Sequence, residues 1–185
     1  MDKDERHDWE RLNIHQVGRY AEYLVKMEFV LHGCDVFTSE VDNHGIDFVV
    51  RTHDGNHYDV QVKSVRSKTS YVFMPKDKFR IHPASLLALV KFVQGEPPAL
   101  FLIHSYVSVG PNPILVNRDY GEGRKSPPEW GLSLTKKTMA ALEADCRFDA
   151  VVRTLCDPNE FQEDSIARQG YRAGELERRI GIKTP

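Results

Sequence analysis

Two short runs carry the residues best suited to chemistry. Gly45-Ile46-Asp47-Phe48-Val49-Val50 holds a carboxylate, and Tyr58-Asp59-Val60-Gln61-Val62-Lys63-Ser64 follows across a short turn with an amide at Gln61 and an ammonium two residues later. Both read as strands, in which side chains two apart share a face. Asp59, Gln61 and Lys63 therefore line one face and Val60 and Val62 the other, while Asp47 alternates with the apolar Ile46, Phe48 and Val50. This is the minimum set for holding a divalent cation beside a phosphodiester. Mg²⁺ and Mn²⁺ take hard oxygen ligands, keep several waters and can activate one of them. Asp47 would supply a carboxylate, Gln61 its amide oxygen and Val62 its backbone carbonyl, with Lys63 neutralising charge that develops on the phosphate. A neutral amide attracts a cation less than a carboxylate does, so metal affinity should be weaker unless another acid helps. Glu22 is the candidate.

The runs must be positioned by a hairpin. His53-Asp54-Gly55-Asn56-His57 supplies residues that tolerate positive φ. A loop with Asp54, Gly55 and Asn56 at its tip and Asn56 left-handed pairs Asp47 with Lys63, Phe48 with Val62, Val49 with Gln61 and Val50 with Val60. A two-residue loop would bury Asp47 beneath the valines, which is costly for an unpaired carboxylate.

Around the hairpin, Asn13 and Gln16 form a capping-box pattern ahead of Ile14, Val17, Ala21, Leu24, Val25 and Phe29 at helical spacing. A helix from about Ile14 to Leu31, closed by Gly33, is expected, with Glu22 one turn beyond Gly18, whose missing side chain allows close approach to the sheet. Cys34 to Val41 reads as a strand, as does Tyr71 to Met74. Leu86 to Val93 and Ala99 to Ile103 flank a Gly-Pro turn and read as a strand hairpin. Gly110 to Pro128 reads as a long loop, and Ser133 or Thr135 can cap a helix through Leu142. Asp157-Pro158-Asn159-Glu160 is another helix start, in a charged tail.

Asp47, Gln61-Val62-Lys63 and the helix acid Glu22, in that arrangement, resemble the PD-(D/E)xK nuclease superfamily, in a Gly-Ile-Asp then Gln-Val-Lys version similar to restriction-type nuclease domains. In this version Gln stands where Glu or Asp is commoner. The likeness covers about residues 13 to 105, with weaker likeness from Trp130 to Leu142. It implies an α/β fold with a central mixed β-sheet flanked by helices, and Mg²⁺- or Mn²⁺-dependent hydrolysis of DNA. An N-terminal extension (1–12), a nuclease-like domain (13–145) and a helical C-terminal tail (146–185) are the expected divisions. The alternative is a nuclease-fold module that has lost chemistry at Gln61 and binds nucleic acid or a protein partner. A third reading is an assembly protein acting through the tail.

Composition bounds these readings. At 185 residues with 41% hydrophobic content the chain has material for one sizeable core. Its net charge of −2 excludes a globally basic DNA-binding character, so a nucleic-acid contact needs a local patch. From Lys63 to His82 there are six basic residues, Lys63, Arg66, Lys68, Lys76, Lys78 and Arg80, against the single acid Asp77, with Tyr71 and Phe73 among them. The residues after Lys63 form the expected phosphate-contacting edge, to which Arg118, Arg124 and Lys125 could add. His53 and His57 lack the spacing and cysteines of a zinc site, and His44 reads as a loop residue. Three cysteines without pairing or zinc spacing fit reduced thiols, and no stretch has the length of a membrane span, so a cytoplasmic protein is expected. Duplex cutting from one small site would call for a homodimer, whereas nicking would not.

Overall fold

The computed structural model describes residues 5–38, 45–108, 114–121 and 126–156. A capping box closes on Asn13, whose side chain accepts from His15 and Gln16 while Gln16 reaches back, and starts helix α1 (Ile14–Leu31). Gly33, at φ 80°, turns the chain out of the helix. Strands β1 (Asp35–Phe37), β2 (Phe48–Arg51), β3 (His57–Arg66), β5 (Ser85–Phe92) and β6 (Ala99–His104) form a five-stranded sheet in the order β1-β2-β3-β5-β6. Only β3 and β5 run parallel, so the sheet is mixed. The chain between them contributes β4 (Tyr71–Pro75), which joins a separate antiparallel sheet, β4-β8-β7, with β7 (Val116–Arg118) and β8 (Glu129–Ser133). Thr135 caps α2 (Lys136–Asp145), and α3 (Phe148–Cys156) follows. The expected α/β class with a central mixed sheet is the observed one.

The two faces of the central sheet sort the core. Val60, Leu86, Ala88 and Val90 face α1 and α3, whereas Val65, Leu87 and Leu89 face Val72, Met74, Leu132 and Leu142 of the second sheet and α2. Central strand β5 is apolar on both faces, as burial from both sides requires. Cys146 carries the chain around the β6 edge, where its carbonyl accepts from the Leu102 amide at 2.8 Å.

Several expectations are corrected. The β2–β3 register pairs Phe48 with Val60, Val49 with Asp59, Val50 with Tyr58 and Arg51 with His57, two residues away from the expected one. The turn is centred on Asp54, whose carboxylate accepts from Thr52 and Asn56, and Gly55 rather than Asn56 takes the positive φ, at 85°. A two-residue shift preserves every facing, so the face assignment survives the wrong register. The stretch read as a long loop contains β7, which pairs with the unanticipated strand β8. Residues outside 13–145 also join the core. Trp9 is 3% exposed, stacks edge-on against Phe92 and donates its indole N–H to the Glu96 carbonyl. At the other end, α3 buries Phe148, Val151, Val152 and Leu155, and Cys156 Sγ meets Cys34 Sγ at 3.0 Å. The tail's helix start at Asp157 lies outside the described residues, as do His44, Arg124 and Lys125.

His104, at the end of β6, is buried, its Nδ1 without a partner among the described residues. Burial lowers its pKa from 6.5 to about 4, against a hydrogen bond to the Pro83 backbone that raises it. The unfolded chain binds this proton more readily, so the contribution is complete above pH 6.5 and is lost as the pH falls from there to about 4. Urea titrations between pH 7.5 and 4.5 should show His104→Leu losing less stability than the parent over that interval.

Candidate active site

Strand pairing sets the site. The β2–β3 ladder ends at the Phe48–Val60 pair, so Asp47 lies one residue past it and is not paired with Lys63. The Asp47 amide donates to the Val60 carbonyl at 2.9 Å, and its carboxylate Oδ2 accepts the Val62 N–H at 2.6 Å. The N–H and C=O of one strand residue project to the same edge. The Val62 carbonyl therefore faces the Asp47 side and not the β5 ladder.

Gln61 is 7% exposed. Its Nε2 donates to the Gly45 carbonyl at 2.6 Å, and its Oε1 has no partner among the described residues. Gly45 makes this possible, at φ 74° and so close that a Cβ there would lie 2.7 Å from both Gln61 Nε2 and the Lys78 carbonyl oxygen. The Gly of Gly-Ile-Asp is thus a requirement of backbone conformation and of close approach.

Asp47, Gln61, Val62 and Lys63 line one open cavity of about 370 Å³, completed by Gly45, Lys78 and an apolar wall of Phe73 and Pro75. Asp59 lies instead in a second cavity of about 390 Å³, which shares Gly45, Gln61 and Lys78 with the first and adds Arg80 and His82. A buried amide oxygen without a donor costs roughly 1–3 kcal/mol, and a cation would relieve that cost. The donor set of one carboxylate, one amide oxygen and one backbone carbonyl fits a hard, water-retaining ion such as Mg²⁺ or Mn²⁺. Among the described residues no group of three His, Cys, Asp or Glu is placed to hold a metal.

The helix acid is placed differently from the rest. Glu22 does not line this cavity, and its carboxylate pairs with Arg19 at 2.6 Å on α1, which packs on the opposite face of the sheet. Gly18 does allow close approach, with Ser64 Oγ 4.0 Å from the position of a Cβ.

The basic run divides into separate environments. Arg66 donates to the Leu12 carbonyl and ties the N-terminal segment to β3. Lys76 lies 3.8 Å from Asp119 and 5.0 Å over the Trp130 ring. Lys68, Lys78 and Arg80 are exposed, and Lys78 and Arg80 border the cavities.

Sequence reasoning passed over an aromatic and acidic group on the second sheet. Glu129 is buried and accepts from the hydroxyls of Tyr71 at 2.5 Å and Tyr120 at 2.8 Å, and the Arg118 guanidinium stacks 4.8 Å over the Tyr71 ring. Burial and Glu129 push the Tyr71 phenol up to about 12, so it remains a donor at neutral pH. The missing signal was β8 itself, because alternation across Glu-Trp-Gly-Leu-Ser is broken by the glycine.

Gly45→Ala and Gly55→Ala separate the two demands on a glycine, since both sit at positive φ but only Gly45 is crowded. Gly55→Ala should cost about 1–2 kcal/mol from backbone conformation alone, and Gly45→Ala clearly more. Urea denaturation of the two proteins checks this.

No protein-family model matches the chain, and no curated protein matches it in sequence. Among solved structures it is similar to the Holliday junction resolvase Hjc of the archaeal hyperthermophile Archaeoglobus fulgidus, at 10% identity and a TM-score of 0.46, covering 74% of this chain and 95% of that one. It is also similar to a bacterial homing endonuclease, at 16% identity and a TM-score of 0.43, covering 77% of this chain and 93% of that one.

Proposed function

We propose that the chain is a metal-dependent endonuclease that hydrolyses phosphodiester bonds of DNA in the cavity of Asp47, Gln61 and Lys63. The observation that carries this reading is the unpartnered, buried Oε1 of Gln61, a residue that lines one cavity with Asp47 and Lys63. The substrate class comes from the sequence resemblance. Asp47, oriented by the Val62 N–H, would hold Mg²⁺ or Mn²⁺ together with Gln61 Oε1 and the Val62 carbonyl. A bound ion supplies charge neutralisation at the phosphate and an activated water. Lys63 contributes a fixed positive charge where negative charge develops. Lys78 and Arg80 extend that potential along the cavity rim. A second copy of the chain would be needed for concerted duplex cutting.

One observation favours a second reading, a nucleic-acid-binding module without chemistry. Among the described residues lining the first cavity Asp47 is the sole carboxylate, with Glu22 on the opposite face of the sheet and paired with Arg19. Metal affinity would then be low.

Incubation with supercoiled plasmid and Mg²⁺ or Mn²⁺ tests both readings. The parent protein should nick or linearise the plasmid, and Asp47→Ala and Lys63→Ala should each slow this by roughly 100-fold or more. Equal cutting by parent and variants would assign the activity to a contaminant, and DNA binding without cutting at any metal concentration would favour the binding module.

The exposed cations give a separate readout. Neutralising Lys68, Lys78 and Arg80 should weaken DNA binding and flatten the dependence of log K on log salt by roughly 0.9 for each phosphate contact removed. Arg66→Gln should instead lower stability, because its partner is the Leu12 carbonyl.

A further inference from the structure

The outer face of the second sheet leads directly into the candidate active site. Phe73 is 52% exposed and, with Pro75, forms the apolar wall of the cavity that holds Asp47, Gln61 and Lys63. Its cross-strand partner on β8 is Gly131, which places no side chain beside the ring. Tyr71 lies across that cleared position, and a Cβ on Gly131 would sit 2.8 Å from its Cε2 and Cζ. The ring is fixed at its far end by Glu129, and Arg118, cross-strand partner of Glu129, covers it. The carboxylate is buried and bonded to two hydroxyls. The group therefore offers flat aromatic surface and a guanidinium on a held scaffold, beside two lysines of the cavity, Lys63 and Lys78.

We propose that Phe73, flanked by Tyr71 and Arg118, is a stacking platform for an unpaired nucleobase adjoining the scissile phosphate, so that the preferred substrate is single-stranded or locally opened DNA. The inference rests on the nuclease reading for the position of the phosphate. An aromatic face accepts any base, because every base has a π-surface, and the neighbouring cations follow the backbone. A closed duplex keeps its bases stacked on each other and offers none to the ring. Arg118 is already stacked on an aromatic ring and can hold a second planar group or a phosphate oxygen. Lys63 and Phe73 in one cavity would place phosphate and base within a single nucleotide of each other.

The test measures binding in EDTA, independently of cleavage. Fluorescence anisotropy with a labelled single-stranded oligonucleotide, and with its blunt duplex, would be compared for the parent, Phe73→Ala, Phe73→Trp and, as a control exposed to a similar degree on α1, Val30→Ala. Thermal unfolding of each protein confirms that it is folded. Phe73→Ala should weaken single-strand binding roughly tenfold or more, Phe73→Trp should restore it, and Val30→Ala and duplex binding should change little. Equal single-strand affinity for Phe73→Ala and the parent would overturn the platform, as would parent binding confined to duplex. The plasmid assay keeps the two ideas apart. Metal-dependent cutting with no effect of Phe73 removes the platform alone, and Phe73-dependent single-strand binding with no cutting of plasmid or single strand removes the nuclease reading and leaves the platform as a binding site only.

Discussion

The hydrogen bond from the Val62 N–H to the Asp47 carboxylate is the joint on which the site is built. Strand β2 stops pairing with β3 at Phe48 and Val60, and beyond that point β3 would present an open edge of backbone polar groups. A side-chain carboxylate replaces the strand that is no longer there. The charge-assisted bond satisfies a backbone donor and fixes the acid against the edge, where the Val62 carbonyl also points. Structure and chemistry use the same interruption, since a hairpin paired one residue further would cover the groups that could hold a cation.

The second sheet turns this edge into a cavity. Strand β3 is ten residues long, but β4, after a short turn, leaves its plane and pairs with β8 instead. Two sheets that diverge from one turn enclose a wedge. Val65, Val72, Met74 and Leu132 pack between them, and Lys63 and Phe73 line the cavity at its edge.

Much of this was legible in the chain. Strand alternation put Gln61 and Lys63 on one face, and the period of two kept the facings of the paired residues despite a register error of two, while Asp47, past the end of the ladder, lines the same cavity. The turn was misjudged because Asp54 organises it through side-chain bonds that composition does not reveal. Trp9 was passed over because its partners, Phe92 and Glu96, lie more than eighty residues away. Glu22 was placed by helical spacing, which fixes a position along α1 but not how its carboxylate competes between a distant site and Arg19 one turn away. The basic run looked continuous because charge was counted along the sequence, whereas β3 and the following turn distribute those side chains to different surfaces.

The contact between the Gln61 amide and the Gly45 carbonyl bears on how this site could have changed over evolutionary time. The interaction needs a donor at position 61, because the facing group is an acceptor 2.6 Å away. An acid there would set a carboxylate oxygen against a carbonyl oxygen, so the commoner Glu could enter only together with a rearranged backbone at Gly45. A Cβ at Gly45 would also meet the Lys78 carbonyl oxygen at 2.7 Å. A gain of ligand charge at position 61 would thus carry a cost set by the shape of the backbone at positions 45 and 78.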